Sequence, residues 1–287
     1  MSDERLQGLI AEARAFDGTP PFSDGALVEL AHGERELLWL GEAAALADES
    51  SAEFVVAPDA RRHGHGTRML DHLIARGDTL FWAHGDHPGA RALARRHGLI
   101  AARELLHLEA AVPVSAGSGR VSTGSTTETT DDSSTTEAGS TTDDTGVTAF
   151  APADADAWLE LNARAFAGHP EQGAVTRQDL DVLTAEPWFD AGDFLLLRDS
   201  DRLIGYCWLK LENGEGEFYV VGVDPERQGE GIGRRLVAAG MHRLAARGID
   251  TAHLYVEGDN AAALRLYRSF GFGQRSIDIQ YRVATAP

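Results

Sequence analysis

The chain has 287 residues, 43% of them hydrophobic, which is long for one compact domain and comfortable for two with separate cores. A formal net charge of −19 argues against nucleic-acid backbones and anionic membrane surfaces as partners, because both are bound through basic surfaces. Cys207 is the only cysteine, so an internal disulfide is excluded and a reducing cytoplasm fits.

The N-terminus, MSDERLQGLIAEARAF, is acidic and amphipathic, without the basic start and apolar stretch of a signal peptide. No apolar run reaches the roughly eighteen residues of a membrane span, so a cytoplasmic protein is expected. Further on, FVVAPDARRHGHGTRMLDHLIARG (54–77) reads as a strand, a glycine turn and a helix, and FWAHGDHPGARALARRHGL (81–99) as a second strand and helix. Residues 113–146, PVSAGSGRVSTGSTTETTDDSSTTEAGSTTDDTG, hold almost no apolar side chains and several acids. They are expected to form a disordered, acidic linker between an N-terminal domain (1–112) and a C-terminal domain (147–287).

The second half continues with DAWLELNARAF at helical spacing, then the strand-like DFLLLRD, LIGYCWLKLE and GEFYVVGVD. A glycine turn opens a helix over about 231–247, with Leu236, Val237, Gly240, Met241 and Leu244 on one face. AHLYVEG is a further strand and NAAALRLYRSF a helix that Gly271 is placed to cap; SIDIQYRV is expected to close the sheet of this half. The fold class is mixed α/β.

The halves repeat each other. Pro58 falls on Pro225, Arg61 on Gln228, Gly64 on Gly231 and Gly66 on Gly233; in a later block Gly85, Asp86 and Gly98 fall on Gly258, Asp259 and Gly271. Several blocks in one order indicate an internal duplication. In the second copy the loop Gln228-Gly229-Glu230-Gly231-Ile232-Gly233 leaves a strand and enters a helix. Glycines allow a tight turn and close approach, and unpaired amides at the helix start favour an anion such as pyrophosphate. The spacing is neither a Walker loop nor the Gly-x-Gly-x-x-Gly dinucleotide fingerprint. A glycine-rich turn without a ligand is the alternative.

Val-x-x-Pro-x-x-Gln-x-x-Gly-x-Gly after a strand, followed by Asn260 and Tyr267 on a later helix before Gly-Phe, resembles the GNAT family of acetyl-CoA-dependent N-acetyltransferases. HPEQG (169–173), GEFYVVGVDPERQGEGIG, LYVEGDNAAALRLY and the N-terminal FWAHG narrow the resemblance to a branch with two such domains in tandem. That branch moves acetyl from acetyl-CoA to the cysteine α-amine of cysteinyl-glucosaminyl-inositol, giving mycothiol. The resemblance implies two tandem GNAT-like domains, each a mixed, mostly antiparallel sheet flanked by helices. It implies that loop amides hold the acetyl-CoA pyrophosphate and that a bulged strand ending at Val221, Gly222 and Val223 pairs with the pantetheine and polarises the thioester carbonyl.

In the second half the implied acetyl-CoA contacts are Val221, Gly222, Val223, Gln228, Gly229, Glu230, Gly231, Ile232, Gly233, Arg234, Asn260, Ala261, Ala262, Ala263, Leu264 and Arg265. In the first half they are Phe54, Val55, Val56, Arg62, His63, Gly64, His65, Gly66 and Thr67. Glu217 is the implied base for the amine and Tyr267 the acid for the leaving thiolate. Asp24, Glu171, Lys210, Glu217 and Tyr255 are the implied acceptor contacts. Four of these have a plainer reading: Glu217 as a solvated strand carboxylate, Tyr267 and Tyr255 as packing aromatics, Lys210 as a surface lysine.

Ala94 and His87 stand in the first copy where Tyr267 and Asn260 stand in the second, so the first domain is expected to be structural or to hold acetyl-CoA without turnover. His63, His65, His84, His87 and His97 lack metal-ligand spacing, and no metal is expected. The expected partner is the small acceptor, with no nucleic acid or membrane, and the chain is expected to be a monomer. A GNAT enzyme for another small amine or a protein N-terminus, and a non-catalytic acyl-CoA sensor, are the competing functions.

Overall fold

The computed structural model describes residues 4–113, 146–168, 172–212 and 214–284. Apart from its two end residues, the expected linker 113–146 lies outside them, as does Glu171. The first half contains α1 (Glu4–Asp17), α2 (Asp24–His32), β1 (Glu36–Leu40), β2 (Ala43–Ala47), β3 (Ser51–Val56), α3 (His65–Arg76), β4 (Leu80–Ala83), α4 (Pro88–His97) and β5 (Ile100–Ala111). The second half contains β6 (Val147–Ala149), α5 (Ala155–Ala165), α6 (Arg177–Leu183), β7 (Phe194–Asp199), β8 (Arg202–Glu212), β9 (Glu215–Val223), α7 (Ile232–Ala246), β10 (Thr251–Glu257), α8 (Ala261–Arg268) and β11 (Gly273–Arg282). The mixed α/β class expected from the sequence is the class found.

The chain forms two compact units. One comprises Met1–Leu108, Val256–Leu264 and Gln274–Pro287; the other comprises Glu109–Tyr255 and Arg265–Gly273. The first unit therefore includes the C-terminal strand. β11, expected to close the sheet of its own half, instead pairs antiparallel with β4, Ile279 against Ala83 through Arg282 against Leu80. The alternation in SIDIQYRV specifies a strand with one buried face but carries no information on which edge it joins. In this unit Ile279 and Tyr281 enter a core with Met69, Leu70, Leu73 and Phe81.

The same unit buries an ionic cluster. His84 Nε2 lies 3.0 Å from Glu53 Oε2 and its Nδ1 3.0 Å from Asp278 Oδ2. Glu53 also accepts from the Ser23 amide (2.7 Å) and hydroxyl (2.8 Å), and Asp278 accepts from the Gly85 amide (3.0 Å). Burial pulls the imidazole pKa down, but the bonds to Asp278 and Glu53 outweigh it and lift the pKa to about 9. Burial also works against both carboxylates, yet their hydrogen bonds hold them below the usual range.

In the second unit β9, β8, β7 and β6 are joined in sequence by antiparallel pairing. One face packs Trp158 of α5 edge-on against Phe194, Tyr206 and Trp208. The other face receives α7, whose stripe Leu236, Val237, Gly240, Met241 and Leu244 is buried as the periodicity predicts. Gly240 is required there, since an added Cβ would come within 2.5 Å of the Phe218 ring. Cys207 lies in this core and burial raises its thiol pKa, which suits a packing residue better than a nucleophile.

Candidate active site

Three features of the second unit converge around β9. The first is a break in the sheet. β8 and β9 pair regularly from Gly205–Val223 to Trp208–Val220, then shift so that Leu209 faces Phe218. Tyr219 is the extra residue of a β-bulge, two residues before the Val221–Val223 stretch to which the sequence assigned the ligand. On its other edge β9 pairs in parallel with β10 at only two positions, Gly216 with Ala252 and Glu217 with His253. Among the described residues, the β9 backbone beyond Glu217 has no strand partner on that edge, leaving donors and acceptors for an extended ligand. Gly222 is fixed by sterics, because a Cβ would come within 2.3 Å of the Tyr206 ring. That ring is anchored by its hydroxyl donating to Asn162 Oδ1 at 2.6 Å.

The second feature is the loop into α7. Gly229 and Gly231 take φ of +85° and +80°, a region that side-chain-bearing residues rarely occupy. A Cβ on either would meet nothing within 4 Å, so the loop faces open space. Gly231 is the N-cap and supplies no side-chain cap, leaving the first amides of α7 for a ligand. The loop is braced from below. Asp224, fully buried, accepts from the Glu226 amide (3.1 Å) and Arg202 (2.7 Å), while Arg227 pairs with Glu230 and Asp199. Glu230 is thus engaged in an ion pair on the loop. Gly233 lets α7 approach α8, with Leu266 Cδ2 3.1 Å from the position of a Cβ. Arg234 reaches Ser269 Oγ (3.4 Å) and stacks over Phe270.

The third is the open face of the sheet. Lys210 and Glu217 are cross-strand neighbours, and Tyr255 stands half-exposed on β10. Lys210 pairs with Glu212 at 3.2 Å and lies over the Trp188 ring. Burial raises the Glu217 pKa, with His253 and Lys210 opposing in part. A carboxylate held this way is a stronger base near neutral pH. Tyr267 is 9% exposed and packs edge-on against Phe272; burial raises its pKa, so the phenol stays protonated.

The structure brings Glu217, Lys210, Tyr255, the Val221–Val223 stretch, the loop Gln228–Gly233 and Tyr267 into one unit. Asn260 and Ala261–Leu264 group with the first unit, where the Asn260 side chain caps α8 by accepting from the Ala263 amide (3.1 Å). Asp24 is the first residue of α2, in the first unit. The first copy's loop keeps its backbone geometry: Arg62 and Gly64 have φ of +66° and +85°, and a Cβ on Gly66 would come within 3.1 Å of Leu93. His65 packs against Gly41, and Arg68 lies 3.1 Å from its ring. His253 and Tyr219 were not singled out in the sequence, since each reads there as an ordinary strand residue. Among the described residues, no group of three or more His, Cys, Asp or Glu side chains could hold a metal ion.

An open strand edge, a glycine-capped helix start and a half-buried carboxylate stand together in the second unit, and residues 156–272 match the Acetyltransferase (GNAT) family. The chain is an acyltransferase. It is 45% identical to the mycothiol acetyltransferase of Clavibacter michiganensis subsp. michiganensis over 95% of this chain and 88% of that protein. It is 43% identical to that of Clavibacter sepedonicus (98% and 93%) and 40% identical to that of Kytococcus sedentarius (97% and 93%). The chain belongs to the mycothiol acetyltransferase family. Two solved structures share the fold. A GCN5-related N-acetyltransferase from Sphaerobacter thermophilus has a TM-score of 0.66 at 21% identity, covering 97% of this chain and 91% of that one. A tandem GNAT protein from the clavulanic acid biosynthesis pathway has a TM-score of 0.60 at 15% identity, covering 99% and 95%.

Proposed function

We propose that this enzyme transfers acetyl from acetyl-CoA to the cysteine α-amine of cysteinyl-glucosaminyl-inositol, giving mycothiol. The observation that carries this reading is the 40–45% identity to mycothiol acetyltransferases over nearly the whole chain. The open β9 edge and the unobstructed loop fit acetyl-CoA. The amides capping α7 receive the pyrophosphate, with Arg234 adding charge, and the Val221–Val223 backbone takes the pantetheine and the developing oxyanion.

An α-amine has a pKa near 8 and is largely protonated at neutral pH, so a base must free its lone pair. Glu217 takes that proton. The amine attacks the thioester carbonyl, the C–S bond breaks as the amide forms, Tyr267 gives its phenolic proton to the departing thiolate, and the second proton shed by the nitrogen restores the phenol. Lys210 and Tyr255 donate to acceptor oxygens, with Glu171 a further acceptor contact. The second half is the catalyst. The first is a CoA-type cradle without turnover, because Ala94 holds the place of Tyr267. The chain works as a cytoplasmic monomer without metal.

The test is CoA release by the purified protein with acetyl-CoA and cysteinyl-glucosaminyl-inositol, beside simple amines and peptides. Turnover confined to the cysteinyl pseudodisaccharide, with mycothiol as product, is expected. Turnover only on other amines would overturn the acceptor, and acetyl-CoA binding without turnover would make the protein a sensor.

A further inference from the structure

Strand pairing lays a charged row across the open face of the second unit. Lys210 of β8 stands on one side of Glu217 and His253 of β10 on the other. Adjacent strands lie about 4.8 Å apart, so Glu217 and His253 are cross-strand neighbours, and the imidazole acts on the Glu217 carboxyl electrostatically. Burial alternates along both strands, with Gly216, Phe218, Ala252 and Leu254 turned inward and Glu217, His253 and Tyr255 outward. His253 also reaches toward the surface: its Nε2 lies 4.0 Å from Glu215 Oε2, and the two side chains are 18% and 71% exposed. The Tyr255 ring packs edge-on against it. Three residues along from the bond between the Val112 amide and the Asp250 carbonyl, Glu109 of β5 comes level with His253. The charged groups facing the pair are therefore Lys210 and Glu212 from β8, Glu215 from β9 and Glu109 from β5. Lys210 is engaged with Glu212 and the Trp188 ring. Imidazole alone in this set is a side-chain type that both takes up and releases a proton near neutral pH.

We propose that His253 is a positioning residue for proton traffic: it takes the amine proton from the Glu217 carboxyl and passes it to solvent at the Glu215 end. This rests on Glu217 being the base. The ammonium N–H bond breaks as a Glu217 O–H bond forms. That O–H bond then breaks as an imidazole N–H bond forms, and the imidazolium gives a proton to water. Both groups are thereby restored to their starting charge, and no redox change occurs. The duplication supports the assignment. Counting back from Gly258 and Gly85, the first copy has Leu80 where the second has His253, and the parallel partner of Leu80 is Ser51 rather than a carboxylate. Base and imidazole are present together in one copy and absent together from the other.

The test uses the full chain with His253→Gln, His253→Ala and Glu217→Gln, reading kcat and KM for both substrates, with thermal unfolding as a check on folding. Both His253 variants are expected to lose about tenfold or more in kcat with the KM for acetyl-CoA unchanged. Added imidazole should restore His253→Ala and leave His253→Gln slow. Wild-type kcat in His253→Gln beside an inactive Glu217→Gln overturns the relay and leaves Glu217 as base. Wild-type kcat in Glu217→Gln overturns the base itself. A loss of kcat in His253→Ala that imidazole does not restore, or one that follows a fall in the unfolding temperature, assigns His253 a structural role and overturns the relay.

Discussion

The two copies of the repeat agree in backbone and differ in a handful of side chains. Each has a strand, two left-handed loop residues and a helix whose first glycine admits a leucine from the next helix, Leu93 in one and Leu266 in the other. Each later helix ends in the same pattern: the Leu99 amide donates to the Ala94 carbonyl and the Phe272 amide to the Tyr267 carbonyl, with Gly98 and Gly271 left-handed between them. The Ala94–Tyr267 equivalence read from the sequence therefore holds in the hydrogen bonds. The strands diverge. β2 and β3 pair without a shift from Ala43–Val56 to Ala47–Ala52, and β3 pairs with β4 at three positions, whereas β9 bulges at Tyr219 and pairs with β10 at only two. A loop scaffold can thus persist on glycines and packing while the bulge and the charged groups beside it occur in one copy.

The largest effect expected across this comparison is at Glu217. Glu217→Gln should lower kcat by about 10²–10⁴-fold, while Ser51→Ala, at the matching place, should leave turnover unchanged. Because burial raises the Glu217 pKa, the acid limb of the kcat/KM profile should lie above the ordinary carboxylate range, activity rising as Glu217 loses its proton. Tyr267→Phe should follow, with about a 10²-fold loss in kcat and the KM for acetyl-CoA unchanged. Unchanged acetylation would remove the phenol from the mechanism and leave Ala94 without significance.

The first unit has its own signature in stability. His84 is raised from an ordinary value near 6.5 to about 9, so its contribution is complete below the unfolded value and is lost as pH rises through about 9. Glu53 and Asp278 are lowered, so theirs is present above the ordinary carboxylate value and lost as pH falls through the folded one. On the alkaline side the loss amounts to roughly 3 kcal/mol. Thermal unfolding from pH 6 to 10 should show it, and His84→Asn should be less stable at neutral pH with a flatter alkaline slope. At the place of His84 the other copy has Glu257, which pairs with Arg103.

The smallest contrast lies in the loops. Gly231→Ala forces a side chain to φ +80° at a cost of about 1–2 kcal/mol, and should raise the KM for acetyl-CoA several-fold. Gly64→Ala imposes the same strain at φ +85° and should leave turnover intact. If Gly64→Ala halted turnover, the first copy would be part of the working enzyme rather than a passive cradle.

Local pattern determined much of this protein on its own. Glycine spacing marked both loops, because positive φ and close helix approach favour glycine, and the Leu236–Leu244 stripe fixed which face of α7 is buried. Duplication was legible because the same turn and cap residues recur in the same order. What the sequence left open was long-range. SIDIQYRV declares a strand, yet only tertiary packing paired it with β4, some two hundred residues earlier in the chain. EFYVVGV reads by its own pattern as one continuous strand; the bulge that the resemblance implies is placed at Tyr219 only by the register against β8. Arg62 carries the turn that a glycine makes in the other copy, held there by the surrounding loop. The row Lys210–Glu217–His253 joins three strands, so it exists only once the sheet has brought them side by side.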